Sequence, residues 1–308
     1  VPLFGDSRPK PAPAPGRDAL FDDAFMAKLE YLEIVAKRAF AGSARGERRS
    51  KKLGAGLEFA DYRRYSPGDD FRHVDWNVYQ RLGKLLLRLY EEEEDLTVTL
   101  LIDASASMAV GDRKKLDHAL RLAAALAYIT LAGLDRVSIV SFSDTLGPRF
   151  LPVRGKAQIF KVMDFLRAIE PGGPTTMGRA LETFVHQSKR RGLAVLLSDL
   201  YAQDGFEPGL NVLRYHKFEP LVLHVTDARE LTPELRGDLQ LVDCETGAVR
   251  EVTVTPRLLD RYRRAHADWR GGVERFCTES QVGYFEASVQ TPFEELVLGL
   301  FRAGGFLR

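Results

Sequence analysis

The sequence predicts an α/β protein: a doubly wound, mostly parallel sheet with helices on both faces, preceded by a small β-rich N-terminal module. Three observations carry this expectation. From about residue 96 onward, short β-branched runs alternate with amphipathic segments, the pattern of strands joined by crossover helices. The runs are almost wholly apolar, as strands covered on both faces must be. At 308 residues and 45% hydrophobic content, the chain can bury one large core or two modest ones.

Taken in order, residues 1–18 (VPLFGDSRPKPAPAPGRD) are proline-rich and read as an extended or disordered lead-in. Residues 19–95 hold a helix and then the β-rich module, which is expected to pack on the main domain because no linker separates the two. The helix is read from Phe25, Leu29, Leu32, Val35 and Phe40 and ends near Gly42. After a basic loop, ARGERRSKK, β-prone residues surround a turn at Ser66-Pro67-Gly68-Asp69 and a hairpin-like break at Gly83-Lys84.

Residues 96–308 form the main domain. Strands are expected at LTVTLLID, RVSIVSFS, LAVLLSDL, PLVLHVTD and VGYFEASV. Helices are expected at KKLDHALRLAAALAYITLAGL, KAQIFKVMDFLRAIE, GRALETFVHQSKRRG and TPRLLDRYRRAHADWRGGVERFCTES. PRFLPV adds an edge strand, the one place in a sheet that tolerates Pro148 and Pro152. LQLVDCETGAVREVTV reads as a hairpin inserted near 239–254 with Gly247 in its turn. The last helix carries its own start signal: Thr291 as N-cap, Pro292 at the first helical position and Glu294 closing a capping box.

Composition excludes several functions. Lys+Arg 44 against Asp+Glu 43 gives a net charge of +1, so no global field recruits nucleic acid or an acidic membrane. The basic loop and the EEEED run at 91–95 read as solvated surface. Cys244 and Cys277 lack CxxC spacing and fit packed or inert thiols in a reducing compartment. No stretch approaches the ~20 apolar residues that span a bilayer, and a cytoplasmic location is expected.

The chemistry is concentrated at strand tips. In LIDASASMAV, Asp103, Ser105 and Ser107 alternate directly after an apolar strand, where open parallel sheets bind ligands. Thr175 and Thr176 follow Gly172, Gly173 and Pro174 before a helix that either threonine can cap. Asp199 ends another strand. A nucleophilic serine, a phosphoryl-accepting aspartate and a cage for a hard cation all start from such residues. The serine reading lacks a G-x-S-x-G elbow and a strand-end histidine, since His224 lies inside an apolar strand and reads as core. A Mg²⁺-dependent phosphatase of haloacid-dehalogenase-like type is the alternative, but Ser105 stands where its general acid, a second Asp, is needed. Two carboxylates with three hydroxyls suit Mg²⁺ or Mn²⁺.

Asp103-x-Ser105-x-Ser107, Thr175 in a Gly-rich loop and Asp199 resemble the metal-ion-dependent adhesion site of von Willebrand factor A domains. The resemblance implies a von Willebrand factor A-like (Rossmann-type) fold. It also implies that Asp103, Ser105, Ser107, Thr175 and Asp199 surround Mg²⁺, or Mn²⁺ or Ca²⁺, with Asp199 often acting through water. Thr175 is favoured over Thr176 because it stands five residues before Ala180, as the family's Thr stands before its "AL". Ala106 and Pro174 depart from the glycines usual there. Upstream, GLEFADYRRYSPGDDFRHVDW is similar to the G-x-EF-x-x-x-R-x-Y-x-PGDD-x-R-x-x-DW stretch of the bacterial domain of unknown function 58 family, a likeness covering residues 54–200. That resemblance implies a MoxR-type AAA+ ATPase as partner. The function expected is non-enzymatic: metal-dependent protein binding, in which a partner's Glu or Asp completes the coordination. In PGDDFRHVDW, Asp69, Asp70, Arg72 and Asp75 read as a turn locked by charge-assisted bonds and anchored by Trp76.

Overall fold

A computed structural model describes residues 20–43, 53–54, 58–91, 97–110, 114–133 and 135–303. The proline-rich lead-in, the basic loop and residues 92–95 of the acidic run lie outside the described residues. The chain divides into two compact units, one comprising residues up to Glu33 together with those from Thr97 onward, the other Ile34–Leu96.

The smaller unit contains the end of helix α1 (Asp23–Ser43) and a three-stranded antiparallel sheet ordered β1 (Leu53–Gly54), β3 (Leu86–Glu91), β2 (Glu58–Arg64). Between β2 and β3 the chain forms a helix, α2 (Trp76–Leu82), where the sequence reading expected β structure. Asp75 explains this. Its Oδ1 accepts hydrogen bonds from the Asn77 and Val78 amides as an N-cap, and Gly83 ends the helix at φ +64°, open to glycine at no steric cost. Asp75 Oδ2 accepts from Arg88 Nε at 2.7 Å and from the Tyr62 hydroxyl at 2.8 Å. The Arg88 bond leads in holding the Asp75 carboxyl well below the usual range. Charge-assisted bonds also lock the preceding turn, Arg63 to Asp69 and Arg72 to Asp70. The expected aromatic anchor is not one: Trp76 is 53% exposed and meets Tyr79 edge-on, so a carboxylate holds this segment.

The larger unit is built on a six-stranded sheet ordered β11-β8-β7-β4-β5-β6: β4 (Thr97–Asp103), β5 (Arg136–Phe142), β6 (Leu146–Arg154), β7 (Leu193–Ser198), β8 (Glu219–Thr226) and β11 (Gly283–Ser288). All pairs are parallel except β5 with β6, and β6 with its prolines is the antiparallel edge. From β4 the chain winds outward through β5 and β6, then returns to the other side of β4 for β7, β8 and β11. The direction therefore reverses between β4 and β7, and a crevice opens at the carboxyl ends of these two strands.

Alternate side chains of the strands serve two cores. Leu101, Val140, Phe142, Leu196 and Val222 pack with α5 (Met177–Gln187), α6 (Glu207–Tyr215) and α8 (Pro256–Glu279). On the opposite face α3 (Lys114–Ala132) packs against α4 (Ile159–Arg167) and α9 (Phe293–Arg302). The start of α1 joins this second layer through the Phe25 and Phe293 rings, 4.8 Å apart, and the Lys28–Glu294 ion pair. His224 is buried as core, its Nδ1 2.9 Å from the Tyr284 hydroxyl and its ring against Trp269.

A short α7 (Ala228–Leu231) follows β8, and β9 (Gly237–Val242) with β10 (Val249–Val254) forms the inserted hairpin as a separate two-stranded sheet. Helix α6 was not anticipated. The last helix begins one residue later than its capping box suggests, because Pro292 is extended (φ −54°, ψ 137°) and serves as N-cap itself. Among the described residues no helix is long and apolar enough to cross a membrane.

Candidate functional site

Backbone hydrogen bonds gather four loops at the crevice between β4 and β7. Past Asp103, the Ala104 amide donates to Phe142 O and its carbonyl accepts from the Gly172 amide, both at 2.8 Å. The Ala106 amide donates to Gly173 O at 2.9 Å, Thr176 N to Ser143 O at 3.1 Å, and Gln203 N to Thr175 O at 3.1 Å. Gly173, at φ +77°, supplies the left-handed residue that turns the 172–176 loop inward before Pro174. The sequence residues Asp103, Ser105, Ser107, Thr175 and Asp199 are thus carried on loops that are bonded to one another, and all five side chains are buried.

Asp103 Oδ1 accepts from the Ser105 amide at 2.9 Å, and its Oδ2 accepts from Ser198 Oγ at 2.5 Å, across the crevice. The Ser105 and Ser107 hydroxyl oxygens lie 3.0 Å apart. Asp199 Oδ1 accepts from Tyr201 N at 3.2 Å, and its Oδ2 accepts from Lys115 Nζ at 2.7 Å. Lys115 donates a second bond to Glu230. Leu200, between Asp199 and Tyr201, is buried at φ +62°, a conformation that costs a non-glycine residue roughly 1 kcal/mol and that aims the Asp199 turn. Its amide donates to Ser198 Oγ at 2.9 Å, so one hydroxyl holds both Asp103 and this turn.

Among the described residues Asp199 and Glu230 share the Lys115 ammonium, whereas Asp103 is held by the Ser198 hydroxyl and the Ser105 amide. Burial, and then the neighbouring Asp199 charge, push the Asp103 carboxyl well above the ordinary aspartate range despite the Ser198 and Ser105 bonds. Burial also works against the Lys115 ammonium, but Asp199 and Glu230 outweigh it and hold that group above the usual lysine value. Among the described residues no three His, Cys, Asp or Glu side chains cluster as a metal site. The donors on offer are two carboxylates and three hydroxyls, and this oxygen-only set fits a hard divalent ion.

Thr175 and Thr176 have separate fates. Thr176 is the N-cap residue of α5 by position but makes no side-chain capping bond. Asp204 caps the helix instead, accepting from Met177 N at 3.0 Å and Gly178 N at 2.8 Å. Thr175 Oγ1 donates to Glu245 Oε1 at 2.8 Å and Thr175 N donates to Glu245 Oε2 at 3.1 Å. Sequence reasoning missed Ser198, Lys115, Glu230, Asp204 and Glu245. Lys115 did carry a signal, a basic residue in a helix's first turn, where the dipole disfavours it. The others lie far along the chain from the residues they serve and carried none.

Fold and geometry together define a class: an α/β protein with a buried carboxylate-and-hydroxyl cluster at the switch point of a mostly parallel sheet. The chain belongs to the family described as Protein of unknown function DUF58, whose profile matches residues 61–271. The match reaches well into the C-terminal third, past the residue-200 limit of the likeness seen in the sequence. The uncharacterized proteins Mb1516 of Mycobacterium bovis and Rv1480 of Mycobacterium tuberculosis are each 30% identical over 265 residues, covering 84% of this chain and 83% of theirs. Among solved structures, the conserved hypothetical protein BatB from Bacteroides thetaiotaomicron is 14% identical, covering 68% of this chain and 99% of its own at a TM-score of 0.40. An aerotolerance-related membrane protein from Bacteroides fragilis is 16% identical, covering 67% and 97% at a TM-score of 0.41.

Proposed function

We propose that this chain is a von Willebrand factor A-type, divalent-cation-dependent protein-binding module rather than an enzyme. Asp103, Ser105, Ser107, Thr175 and Asp199 would hold Mg²⁺, or Mn²⁺ or Ca²⁺, as a metal-ion-dependent adhesion site does. When bound, the cation supplies a positive centre that accepts a partner's Glu or Asp. The observation that carries this reading is the pair of buried carboxylates at the switch point, with the hydroxyls of Ser105 and Ser107 beside them. Such a cluster recognises carboxylates through charge-assisted contacts. Ser105 stands in place of the second Asp that the phosphatase reading needs as its general acid. The partner we favour is a MoxR-type AAA+ ATPase.

Mn²⁺ titration by calorimetry tests the site. Wild-type protein is expected to bind one divalent ion, and Asp103→Ala to lose that binding while its circular dichroism is unchanged. Unchanged affinity in Asp103→Ala overturns the assignment. Release of phosphate from a generic phosphomonoester by the protein alone, abolished in Asp103→Asn, would replace this reading with the phosphatase. Retention of the ATPase should require Mg²⁺ and be reversed by EDTA.

A further inference from the structure

We propose that Glu245, at the tip of the β9–β10 hairpin, is a built-in carboxylate ligand of the strand-tip site, occupying the place that an acidic side chain of a partner must take. The inference rests on the reading of that site as a cation-dependent carboxylate receptor. Both oxygens of Glu245 are engaged by Thr175, one by its hydroxyl at 2.8 Å and one by its amide at 3.1 Å. A threonine hydroxyl has one proton and two lone pairs, so donating to Glu245 leaves Thr175 an oxygen to offer a cation. The contact therefore occupies the site without destroying it.

The hairpin is made to present this one side chain. Asp243 Oδ1 accepts from the amides of Glu245 (2.8 Å) and Thr246 (2.9 Å). Asp243 N donates to Ala248 O at 2.8 Å, and Gly247 closes the turn at φ +70°. Within residues 243–248 Glu245 is half-buried and the others are exposed. Along the arms Val242 and Val249 are 62% and 56% exposed, and among the described residues the two strands pair only with each other. An isolated two-stranded hairpin is marginally stable in water. Its tip is bonded to the site while most of both arms is exposed, which suits a ligand that can be displaced and that returns. Tethering gives such an internal carboxylate a millimolar effective concentration, which a competing acidic segment must exceed. The hairpin thereby sets a threshold, admitting a partner that brings further contacts and turning away stray carboxylates.

The test uses the full chain with Mn²⁺ and a fluorescent peptide of the hairpin tip, VDCETGAV, supplied in trans and followed by anisotropy. Glu245→Gln and Glu245→Ala are expected to bind it at least about tenfold more tightly than wild type. EDTA should release it, and a peptide with Gln in place of Glu should not bind. Hydrogen exchange at residues 243–248 should quicken in both variants while β4 and β7 are unchanged. Equal peptide binding by wild type and variants, no binding by any of them, or unaltered exchange at the tip overturns the proposal. The two readings fail separately. If Glu245→Gln fails these tests but still binds Mn²⁺ through Asp103, only the internal ligand is lost. If Asp103→Ala binds Mn²⁺ like wild type, the site itself is.

Discussion

Lys115 lies in the first turn of α3, where the helix dipole repels a cation, yet its ammonium is buried between Asp199 and Glu230 with the Tyr201 ring 5.4 Å away. A lysine survives there only because two carboxylates surround it, and breaking such a buried pair costs about 3–5 kcal/mol. His118, one turn further on, is the opposite case. Its Nε2 is buried with no hydrogen-bond partner among the described residues, and burial, helped by the Arg121 charge, lowers its pKa from 6.5 to about 4. The unfolded chain thus takes up a proton between pH 6.5 and 4 that the native state refuses, so stability falls as pH falls through that window. At pH 5 the loss relative to pH 7 comes to about 2 kcal/mol from this residue alone. Urea unfolding at the two pH values should show wild type losing that much more than His118→Met. An identical pH response in the two proteins would contradict the buried, neutral imidazole.

At the scale of elements, α5 depends on a residue outside itself. Asp204 caps it from the loop between β7 and α6, and a Cβ at Gly178 would lie 2.7 Å from Asp204 Oδ2, so glycine is needed there for the carboxylate to approach. Asp204→Ala should cost about 1 kcal/mol in chemical denaturation, and Gly178→Ala a similar amount by pushing the cap away. A cost near zero for both would mean that solvent satisfies the end of α5. Because Thr175 lies two residues before this helix, the cap also steadies the loop that carries a site hydroxyl. The same logic explains α2, whose alternating β-prone residues are overridden by the Asp75 cap and by Gly83.

Across the whole molecule, the larger unit is unevenly held. β4 and β7 are buried along their full length, whereas the β9–β10 hairpin is exposed along most of both arms. Native-state hydrogen exchange should therefore show the β4 and β7 amides exchanging about a thousandfold or more slower than those of the hairpin. Comparable protection would mean that the hairpin is locked and unsuited to yield its place. Close approach also fixes the sheet's lower edge: a Cβ at Gly192 would meet Thr97 O at 2.3 Å, which ties the start of β7 to that of β4.

The strands, their parallel alternation, the proline-bearing edge and the five oxygen-bearing side chains were legible because they depend on local pattern: apolar runs, loop residues and hydroxyls next to strand ends. Helix α2 was not, since a single capping carboxylate outweighed β propensity, and Trp76 misled because aromatic character alone does not say which face is buried. The partners of the site were legible only in part. Ser198 reaching Asp103, Lys115 bridging Asp199 and Glu230, Asp204 capping α5 and Glu245 seated on Thr175 all join residues from 26 to 115 positions apart. No local periodicity encodes such pairs. The sequence alone determined which oxygen-bearing side chains stand at the crevice; only the tertiary structure decided which groups they pair with and that the chain's own Glu245 rests on Thr175, because both depend on which distant loops the folded sheet brings within hydrogen-bond reach.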